Sequence, residues 1–344
     1  MRILHIGYAL AQASGVTTFV ENVGSKQRLA GHGVDIVDAA ATGDSDEARG
    51  ISDRIAKCDI VHLHCLWQLR RYAKAARDAG VPIVWSTHGM TAPWAMRHKW
   101  LKKKVAWWMF QRRDLRQAAA IHCTTEQEAE WNRRLGFGNC FVAPLGTDES
   151  FSRVEHVERV ERVLLFVGRV HPVKGLENLI RAWEMVEPRN TRKWVLRIVG
   201  PDEGGHLSSL TSLVSRLGLD DSVEFAGPKY GEDLSREYEN CDCLVLTSFT
   251  ENFGATVVDA MAHGKPVITS TFTPWREVKD RGCGWWVSNE PESLAAAIGE
   301  MMAKSDADRA AMGEKGRRLV DEKYSWDAVA GKLDDVYLQI TKRD

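Results

Sequence analysis

The sequence lacks an uninterrupted apolar run near the ~20 residues that a membrane-spanning helix requires. Its seven cysteines include no CxxC pair, which argues against a disulfide framework and against a zinc site. The first ten residues, MRILHIGYAL, show neither the charged start nor the small-residue cleavage site of a secretory signal. We therefore predict a cytoplasmic chain without a transmembrane anchor.

The sequence also lacks net charge of either sign. Its 46 Lys and Arg residues stand against 47 Asp and Glu residues, a net charge of −1, so the chain as a whole does not resemble a nucleic-acid binder. Short repeats and low-complexity tracts are missing too. At ~150 residues per domain, a chain of 344 residues is expected to form about two domains.

Short apolar runs predict the strands, and they are apolar along their whole length instead of alternating. Such strands belong to parallel sheets that helices cover on both faces. The runs form two series: 2–8, 34–39, 60–66, 82–87, 121–124 and 141–144, and then 162–168, 195–200, 223–227, 243–248, 266–270 and 285–287. We predict an α/β protein with two Rossmann-like, doubly wound domains that face each other across a cleft.

A polar and charged stretch, 146–161, separates the two series and is the predicted hinge. The predicted domains cover 1–150 and 160–323. Apolar residues at helical spacing fill 324–344, which we expect to form a closing helix that packs back on the N-terminal domain. Ligands of such folds bind outside the carboxyl ends of the strands, so residues that directly follow strands are the candidate site.

A glycine-bounded loop, Gly168 to Gly175, follows the first strand of the second series. Arg169 and Lys174 in this loop offer a bidentate donor and a point charge to a diphosphate. The chain has neither a GxGxxG fingerprint nor a P-loop, which argues against nicotinamide chemistry and against ATP hydrolysis. The alternative is that both cations are solvated surface charges.

Two carboxylates, Glu251 and Asp259, follow the strand that ends at Ser248. Eight positions separate them, so they can contact two parts of one ligand, and acceptor-only carboxylates suit a polyhydroxylated ligand. The alternative is a loop charge at Glu251 and a helix cap at Asp259.

A helix is predicted to begin near Gly254 and to stop at Gly264. Its free backbone amides, at Phe253, Gly254 and Ala255, are expected to point toward the ligand, where the helix dipole favours an anion or a sugar oxygen.

Positive charge is concentrated in one stretch, 94–117, which we call the basic aromatic segment. It carries a charge of +7, which leaves −8 for the rest of the chain. Apolar residues recur at helical spacing in this segment: Trp94, Leu101, Val105, Trp108 and Leu115. Basic residues, among them Lys102, Lys103 and Lys104, lie between these apolar positions. Trp100 and Trp107 are expected on the flank of the apolar stripe as interfacial anchors. Such a helix suits an anionic membrane surface or a lipid-linked acceptor. The alternative is that the apolar stripe packs on the N-terminal sheet.

These motifs resemble those of family 4 retaining glycosyltransferases, which have the GT-B fold. The segment from Glu251 to Asp259, in which seven residues separate two acids, is similar to the EX7E signature of that family, and the sequence AMAHGKPVI follows it. Two positions depart from the family pattern: Asp259 stands where glutamate is usual, and Leu145 stands where asparagine is common. The loop with Lys174 is similar to the family's diphosphate loop. The motif THGM at 87–90 also agrees with the family. The motifs GMxxPW at 89–94 and TPW at 273–275 are similar to the subgroup that builds bacterial surface polysaccharides, including lipopolysaccharide.

The resemblance implies a hexosyltransferase that moves a sugar from a nucleotide-diphosphate donor to a saccharide acceptor, which we expect to be lipid-linked. Glu251 would contact the donor sugar, Asp259 the ribose, and Arg169 and Lys174 the diphosphate. The implied first domain is the acceptor side and the second the nucleotide-sugar side.

In the N-terminal domain, the resemblance assigns the first loop, which holds Gly15 and the hydroxyls of Ser14, Thr17 and Thr18, to the donor phosphates and the acceptor. It places His88 near the transferred sugar. A plain helix cap is the alternative for the hydroxyls, and a structural role is the alternative for His88. His62 and His64 are expected to make hydrogen bonds in the core.

Two other functions stay open: a sugar-nucleotide epimerase of the same shape, and a catalytically inert sugar-nucleotide-binding module. The expected partners are a nucleotide sugar, a saccharide and an anionic membrane surface, with no nucleic acid. No cluster of His, Cys and Asp has the spacing of metal ligands, so we expect neither a metal nor a cofactor.

Overall fold

The computed structural model describes residues 1–11, 14–41, 45–97, 100–147, 161–186 and 194–342. The strands are β1 (Arg2–Gly7), β2 (Gly33–Asp38), β3 (Ile60–His64), β4 (Ile83–Ser86), β5 (Ala120–Cys123), β6 (Cys140–Val142), β7 (Arg162–Val167), β8 (Trp194–Val199), β9 (Val223–Gly227), β10 (Cys243–Leu246), β11 (Val267–Ser270) and β12 (Gly284–Val287). The helices are α1 (Gly15–Leu29), α2 (Ser45–Ile55), α3 (Arg70–Asp78), α4 (Pro93–Arg97), α5 (Trp100–Ala106), α6 (Arg112–Arg116), α7 (Glu126–Arg134), α8 (Leu176–Val186), α9 (His206–Leu217), α10 (Gly231–Asn240), α11 (Ala255–Ala262), α12 (Glu277–Asp280), α13 (Pro291–Ala303), α14 (Asp306–Lys323) and α15 (Trp326–Thr341).

Two six-stranded sheets form the framework, with strand orders β2-β1-β3-β4-β5-β6 and β12-β11-β10-β7-β8-β9. Neighbouring strands in each sheet are parallel. Central strands such as β3, β4 and β10 are buried on both faces, which is why apolar residues dominate their sequences. The polar side chains of β3 and β4, His62, His64 and Ser86, are buried as well. The predicted α/β class and the strand series are confirmed.

The chain divides into two compact units. The first unit comprises Met1–Gly146 and Ser325–Asp344, and the second comprises Thr147–Tyr324. The C-terminal helix α15 belongs to the first unit and packs on α1. Ser325 caps this helix, and its buried face includes Trp326, Leu333 and Tyr337. Most of the predicted hinge, 148–160, lies outside the described residues.

The order of each sheet reverses once along the chain. In the first unit the chain runs from β1 to β2 at one edge and then returns to add β3 on the other side of β1. In the second unit β8 and β9 follow on one side of β7, and β10 is then added on the other side. Ligands of open parallel sheets bind at such reversals, outside the carboxyl ends of the strands. The topology therefore singles out the loops after β7 and β10.

A π-helical segment, Trp107–Gln111, joins α5 to α6 inside the basic aromatic segment. The Arg112 amide donates to the Trp107 carbonyl five residues back, not four, so the residues that follow are rotated relative to a regular helix. Trp107 is only 7% exposed and packs against Trp67 and Phe137. The prediction that Trp107 lies on the flank beside Trp100 is therefore wrong.

The same segment corrects the predicted apolar stripe. Leu101, Val105 and Trp108 are exposed, whereas Leu115 is buried in the core of the first unit. Leu115 does not share the exposed face of the other three because the π-helical segment, which contains Trp108, shifts the residues that follow it. The side chain of Trp94 lies outside the described residues. No helix in the described ranges is long and apolar enough to cross a bilayer.

Candidate active site

The reversal of the second sheet brings Lys174 and Glu251 together. Lys174 ends a 3₁₀ turn, Pro172–Lys174, that follows β7, and Glu251 follows β10. The Lys174 ammonium donates to Glu251 Oε1, although the two residues are 77 positions apart in sequence. The Ser248 hydroxyl donates to the same oxygen at 2.7 Å. Each charged side chain is only 13% exposed, so water screens this pair weakly.

Gly175 lets the Lys174 loop lie directly against the end of β10. Its φ of +68° is in the left-handed region, and a Cβ there would lie 2.2 Å from the Thr247 carbonyl oxygen and 2.7 Å from Asn289 Nδ2. The Thr247 hydroxyl donates to the Lys174 carbonyl at 2.8 Å. A residue other than glycine at 175 would push the loop away from β10 and separate Lys174 from Glu251.

Helix α11 starts beside Glu251 with its first turn uncapped. It begins at Ala255, one residue after the predicted start, and its N-cap Gly254 has a φ of +80°. No side chain in the described part of the chain caps this helix, which leaves the first amides and the positive end of the dipole to a ligand. The Phe253 ring is buried against Trp275 at a centroid distance of 5.2 Å, so Phe253 offers a ligand only its backbone.

Asp259 lies half-buried in the middle of α11. The Thr147 hydroxyl donates to Asp259 Oδ1 at 2.9 Å, which orients the carboxylate. Burial, and to a lesser extent the charge of Asp259, raises the pKa of the Tyr238 hydroxyl well above its usual value, so Tyr238 stays protonated near this carboxylate. Thr147 is thus a neighbour of Asp259 that the sequence analysis did not select.

Arg169 does not join the Lys174–Glu251 pair. Its guanidinium donates to Glu203, and both side chains are about half exposed. The Gly168 amide at the start of the same loop donates to the Val199 carbonyl at 2.9 Å, which ties the loop to β8. The two predicted diphosphate ligands therefore differ: Lys174 is held in place, whereas Arg169 pairs at the surface.

Gly15 and Ser14 form the start of α1 in the first unit. Ser14 is the N-cap residue, and its hydroxyl accepts from the Thr17 amide at 3.2 Å, so a helix cap accounts for this hydroxyl. A Cβ at Gly15 would meet nothing within 4 Å. Packing therefore does not require glycine at 15.

His88 follows β4 in a backbone conformation that only a few non-glycine residues adopt, with a φ of +45°. The buried Glu128 carboxylate accepts from the Thr87 hydroxyl and from the Gly89 amide, and these bonds hold the turn. His88 Nε2 lies 3.2 Å from His64 Nδ1. Such strain at the end of a strand is typical of functional sites.

Three buried histidines form the compact group of potential metal ligands found in the described part of the chain. The ligand atoms of His5, His62 and His64 lie within 4.8 Å of one another. All six of their ring nitrogens already have hydrogen-bond partners: each other, His88, Gln27, Tyr337 and Ser86. The imidazoles satisfy one another, so this arrangement does not call for an ion.

Sequence reasoning selected Lys174, Glu251 and Asp259 but missed the residues that position them. Ser248, Thr247 and Thr147 each donate a hydroxyl hydrogen bond to this group. Thr247 and Ser248 directly follow β10, so their position at a strand end was the available signal. Thr147 offered no such signal.

Two family descriptions match the chain, one for each unit. Residues 148–319 match the glycosyl transferases group 1 family, and residues 49–146 match the glycosyl transferase 4-like domain. The chain is 33% identical over 190 residues to an uncharacterized glycosyltransferase of Methanocaldococcus jannaschii, and 31% identical over 183 residues to a D-inositol 3-phosphate glycosyltransferase of Salinispora tropica. These alignments cover 55% and 51% of this chain, and 47% and 38% of the relatives, so the chain spans less than half the length of either.

The fold is also that of solved glycosyltransferases. The crystal structure of Anabaena HepE in complex with UDP-glucose matches with a TM-score of 0.74, over 98% of this chain and all of that chain, at 18% sequence identity. At that identity the likeness shows the fold alone, which is GT-B, as predicted. With half of its length matched by one family description, the chain belongs to the glycosyl transferases group 1 family, of the GT4 type.

Proposed function

We propose that this protein is a retaining glycosyltransferase that moves a sugar from a nucleotide-diphosphate donor to a hydroxyl of a saccharide acceptor. One observation carries the proposal: the contact between Lys174 and Glu251 at the reversal of the second sheet, beside the uncapped start of α11. A cation and free amides suit a diphosphate, and a carboxylate suits sugar hydroxyls. The related fold of HepE, crystallised with UDP-glucose, supports this choice of donor.

In this proposal, binding of the donor separates the Lys174–Glu251 pair, so that each residue can contact the donor. Without a ligand the two charges neutralise each other. A diphosphate competes for Lys174 and releases the Glu251 carboxylate, which then accepts hydrogen bonds from the donor sugar while Ser248 holds it in place. Binding of the phosphates and recognition of the sugar are thereby coupled.

In the proposed reaction the acceptor hydroxyl oxygen forms the new bond to the anomeric carbon, on the face that the diphosphate leaves. The bond from that carbon to the diphosphate breaks, its electron pair stays on the diphosphate oxygen, and this oxygen takes the acceptor proton. Lys174 and the α11 amides stabilise the negative charge that develops. Arg169 adds a second cation once it leaves Glu203. In this proposal these groups supply the positive charge that a metal ion would otherwise provide.

A turnover assay tests this function against its two rivals. We expect UDP-, GDP- or ADP-sugar to raise the melting temperature by mass action, and the stabilising donor to yield free nucleoside diphosphate with a saccharide acceptor. NMR of the product should show the anomeric configuration of the donor. An epimerase would instead return an isomeric nucleotide sugar, and an inert module would bind without turnover. Either result, or an inverted product, contradicts the proposal.

Asp259 is proposed to bind the ribose of the nucleotide. Its carboxylate is half-buried and oriented by Thr147. Asp259→Asn should weaken the binding of a ribonucleotide donor more than that of a 2′-deoxy donor, which already lacks one partner. Equal losses for both donors would show that Asp259 only supports α11.

We further propose that the exposed face of α5 and the π-helical segment contacts an anionic membrane and so reaches a lipid-linked acceptor in surface-polysaccharide synthesis. Large apolar residues are exposed there: Trp100, Leu101, Val105, Trp108 and Met109. Three of them, Leu101, Val105 and Met109, border a groove of about 460 Å³. Cations lie beside the two tryptophans, since Lys104 is 5.6 Å from the Trp100 ring and Arg112 is 4.9 Å from the Trp108 ring.

The arrangement of basic and apolar side chains suits a bilayer better than a packed protein core. Lys102 and Lys104 are exposed, whereas Lys103 is half-buried and donates to the Ala95 carbonyl at 2.7 Å. Each basic residue near an anionic surface contributes ~1 kcal/mol, and apolar area inserted between head groups adds to it.

Vesicle co-sedimentation tests the membrane proposal. Vesicles that contain phosphatidylglycerol should sediment the protein at low salt, and neutral vesicles should not. The double variant Lys102→Gln/Lys104→Gln should bind less, whereas Lys57→Gln/Lys279→Gln, with the same charge change at exposed sites elsewhere, should bind like the wild type. Wild-type protein that stays in the supernatant at low salt contradicts the proposal and favours a soluble acceptor.

A further inference from the structure

A chain of buried hydrogen bonds runs from His88 to Asp334 inside the first unit. His88 Nε2 lies 3.2 Å from His64 Nδ1, and His64 Nε2 lies 2.9 Å from His5 Nδ1. His5 Nε2 lies 2.8 Å from Gln27 Oε1, and Gln27 Nε2 lies 2.7 Å from Asp334 Oδ1. The chain thus joins the turn after β4 to helix α15, through β3, β1 and α1.

The direction of every bond in this chain follows from its last member. An ionised carboxylate only accepts hydrogen bonds, so Asp334 selects the amide nitrogen of Gln27 and turns Oε1 toward His5. Gln27 Oε1 can only accept, so the neutral His5 ring carries its proton on Nε2. His5 Nδ1 then carries a lone pair and accepts a hydrogen bond. His64 then donates from Nε2, and its Nδ1 accepts from His88 Nε2.

The consequence at the far end is a single tautomer of His88. Nε2 carries the proton, and Nδ1 presents a lone pair to which no group in the described part of the protein is bonded. Burial lowers the pKa of His5 to about 4 and that of His88 to about 3, which keeps both rings neutral at physiological pH.

A second chain in the same core meets the first at Gln27, whose side chain also hydrogen-bonds to the Tyr337 hydroxyl. The Tyr337 hydroxyl lies 2.5 Å from His62 Nδ1, Ser86 Oγ lies 2.6 Å from both His62 Nε2 and His122 Nδ1, and His122 Nε2 lies 2.7 Å from the Ala143 carbonyl. That carbonyl only accepts, so it sets the direction of this chain. Followed from that carbonyl, the Tyr337 hydroxyl donates to His62, so its oxygen accepts from the Gln27 amide nitrogen. Tyr337 thus supports the orientation of Gln27 that Asp334 selects, and both favour the same tautomer of His88.

We infer that Asp334 is a remote positioning residue that holds His88 as the Nε2–H tautomer, so that His88 Nδ1 accepts a hydrogen bond from a sugar hydroxyl. The part of this inference that concerns the sugar rests on the proposed function. The part that concerns the tautomer rests only on the hydrogen-bond chain. His64, His5 and Gln27 transmit the choice and do not touch the substrate.

NMR of protein with ¹⁵N-labelled histidine tests the tautomer without any substrate. Long-range ¹H–¹⁵N correlations distinguish the two neutral tautomers, and the signals that disappear in His88→Gln identify those of His88. The wild type should show Nε2–H alone. The isosteric Asp334→Asn should give a mixture of tautomers at His88, because an asparagine can donate to Gln27 as well as accept from it. Asp334→Glu, which restores an acceptor-only group, should recover the single tautomer.

Asp335→Asn is the matched control, since it removes the same charge from an exposed neighbour on the same helix. It should show the wild-type pattern. An Nδ1–H tautomer at His88 in the wild type, or equal spectra for Asp334→Asn and the wild type, overturns the inference.

Kinetics then test the sugar contact. Asp334→Asn should lower kcat/KM for the donor about 10-fold, the equivalent of one hydrogen bond, with unchanged affinity for the nucleoside diphosphate. Kinetics equal to those of Asp335→Asn in an active enzyme would overturn the contact. A wild type that turns over no donor but shows the expected spectra would refute the proposed function and leave the control of the tautomer by Asp334 standing.

Discussion

The two units hold their polar interiors together in different ways. In the first unit the largest polar network is built on neutral rings: five imidazoles, His5, His62, His64, His88 and His122, are linked to each other and to hydroxyl, amide and carbonyl partners, and the Asp334 carboxylate lies at one end. The second unit uses charges. Arg162 pairs with Asp242 at 2.8 Å and with Asp306 at 2.6 Å, and Lys174 pairs with Glu251.

Because of this difference, we expect the two units to respond differently to ligand and to pH. An ion pair such as Lys174–Glu251 can exchange one partner for a phosphate group, which is the role proposed for this pair. A network of neutral rings cannot exchange partners with an anion, but it can orient a proton over a long distance. The two units therefore offer complementary devices, one for charge and one for the position of a hydrogen.

The largest expected effect is selective unfolding of the first unit in acid. Burial lowers the pKa of His5 and His122 to about 4 and that of His88 to about 3, whereas the unfolded chain binds these protons near the ordinary value of 6.5. Between these values the unfolded state holds more protons, so stability falls as pH falls, by ~1.4 kcal/mol per pH unit for each ring.

On this basis the unfolding free energy of the first unit should fall by on the order of 5 kcal/mol between pH 7.5 and pH 5. Calorimetry at pH 7.5, 6 and 5 should show one transition that shifts strongly, and limited proteolysis with mass spectrometry should assign it to the first unit. Equal shifts for both units would remove the contrast between them.

The next largest effect is a difference in stability between alanine variants of Trp107 and Trp108, the two adjacent tryptophans of the π-helical segment. Trp107→Ala removes a ring buried against Trp67 and Phe137 and should cost about 3 kcal/mol or more of unfolding free energy. Trp108 is 66% exposed, so Trp108→Ala should change stability by less than about 0.5 kcal/mol but weaken binding to anionic vesicles. Chemical denaturation and co-sedimentation measure the two effects. A large stability loss in Trp108→Ala would contradict the register set by this segment.

Loss of the Glu251 carboxylate should affect chemistry more than folding. Glu251→Gln should lower donor turnover ~100-fold, about 2.7 kcal/mol. Affinity for the nucleoside diphosphate should persist or increase, because Lys174 loses its competing partner. Turnover assays and calorimetric titration separate the two quantities. Glu184→Gln, at an exposed position on α8, is the control and should behave like the wild type. Wild-type turnover in Glu251→Gln would remove this residue from the site.

The smallest expected effect is the difference in stability between alanine variants of Gly175 and Gly204, two glycines with similar left-handed backbone conformations. A Cβ at Gly175 meets the Thr247 carbonyl, whereas a Cβ at Gly204, with a φ of +74°, meets nothing within 4 Å. Gly204→Ala should cost about 1 kcal/mol from backbone strain alone. Gly175→Ala should cost about 2 kcal/mol more and should also weaken diphosphate binding, because it displaces Lys174. Equal denaturation midpoints for the two variants would show that the loop does not need its close approach to β10.

The α/β class, the strand series and the closing helix could be predicted because each depends on local pattern. Strands that are apolar throughout are stable only in sheets covered on both faces, and Trp326, Val329 and Leu333 recur at helical spacing. Lys174 and Glu251 could be nominated as well, because both lie in the loops that follow strands. Trp107 could not be placed correctly, since periodicity assumes a regular helix and the π-helical segment adds one residue to a turn.

The two parallel sheets, the loops at the carboxyl ends of their strands and the types of side chain in those loops could be derived from the sequence. Each of these features depends on residues only a few positions apart in the chain. Tertiary structure alone decided which of these side chains meet. Lys174 finds Glu251 77 positions away because β7 and β10 are neighbours at the reversal of the sheet. Asp334 reaches His88 through three intervening side chains because α15 packs on α1. Hydrogen bonds between residues so distant in sequence depend on strand order and helix docking, which no local pattern encodes.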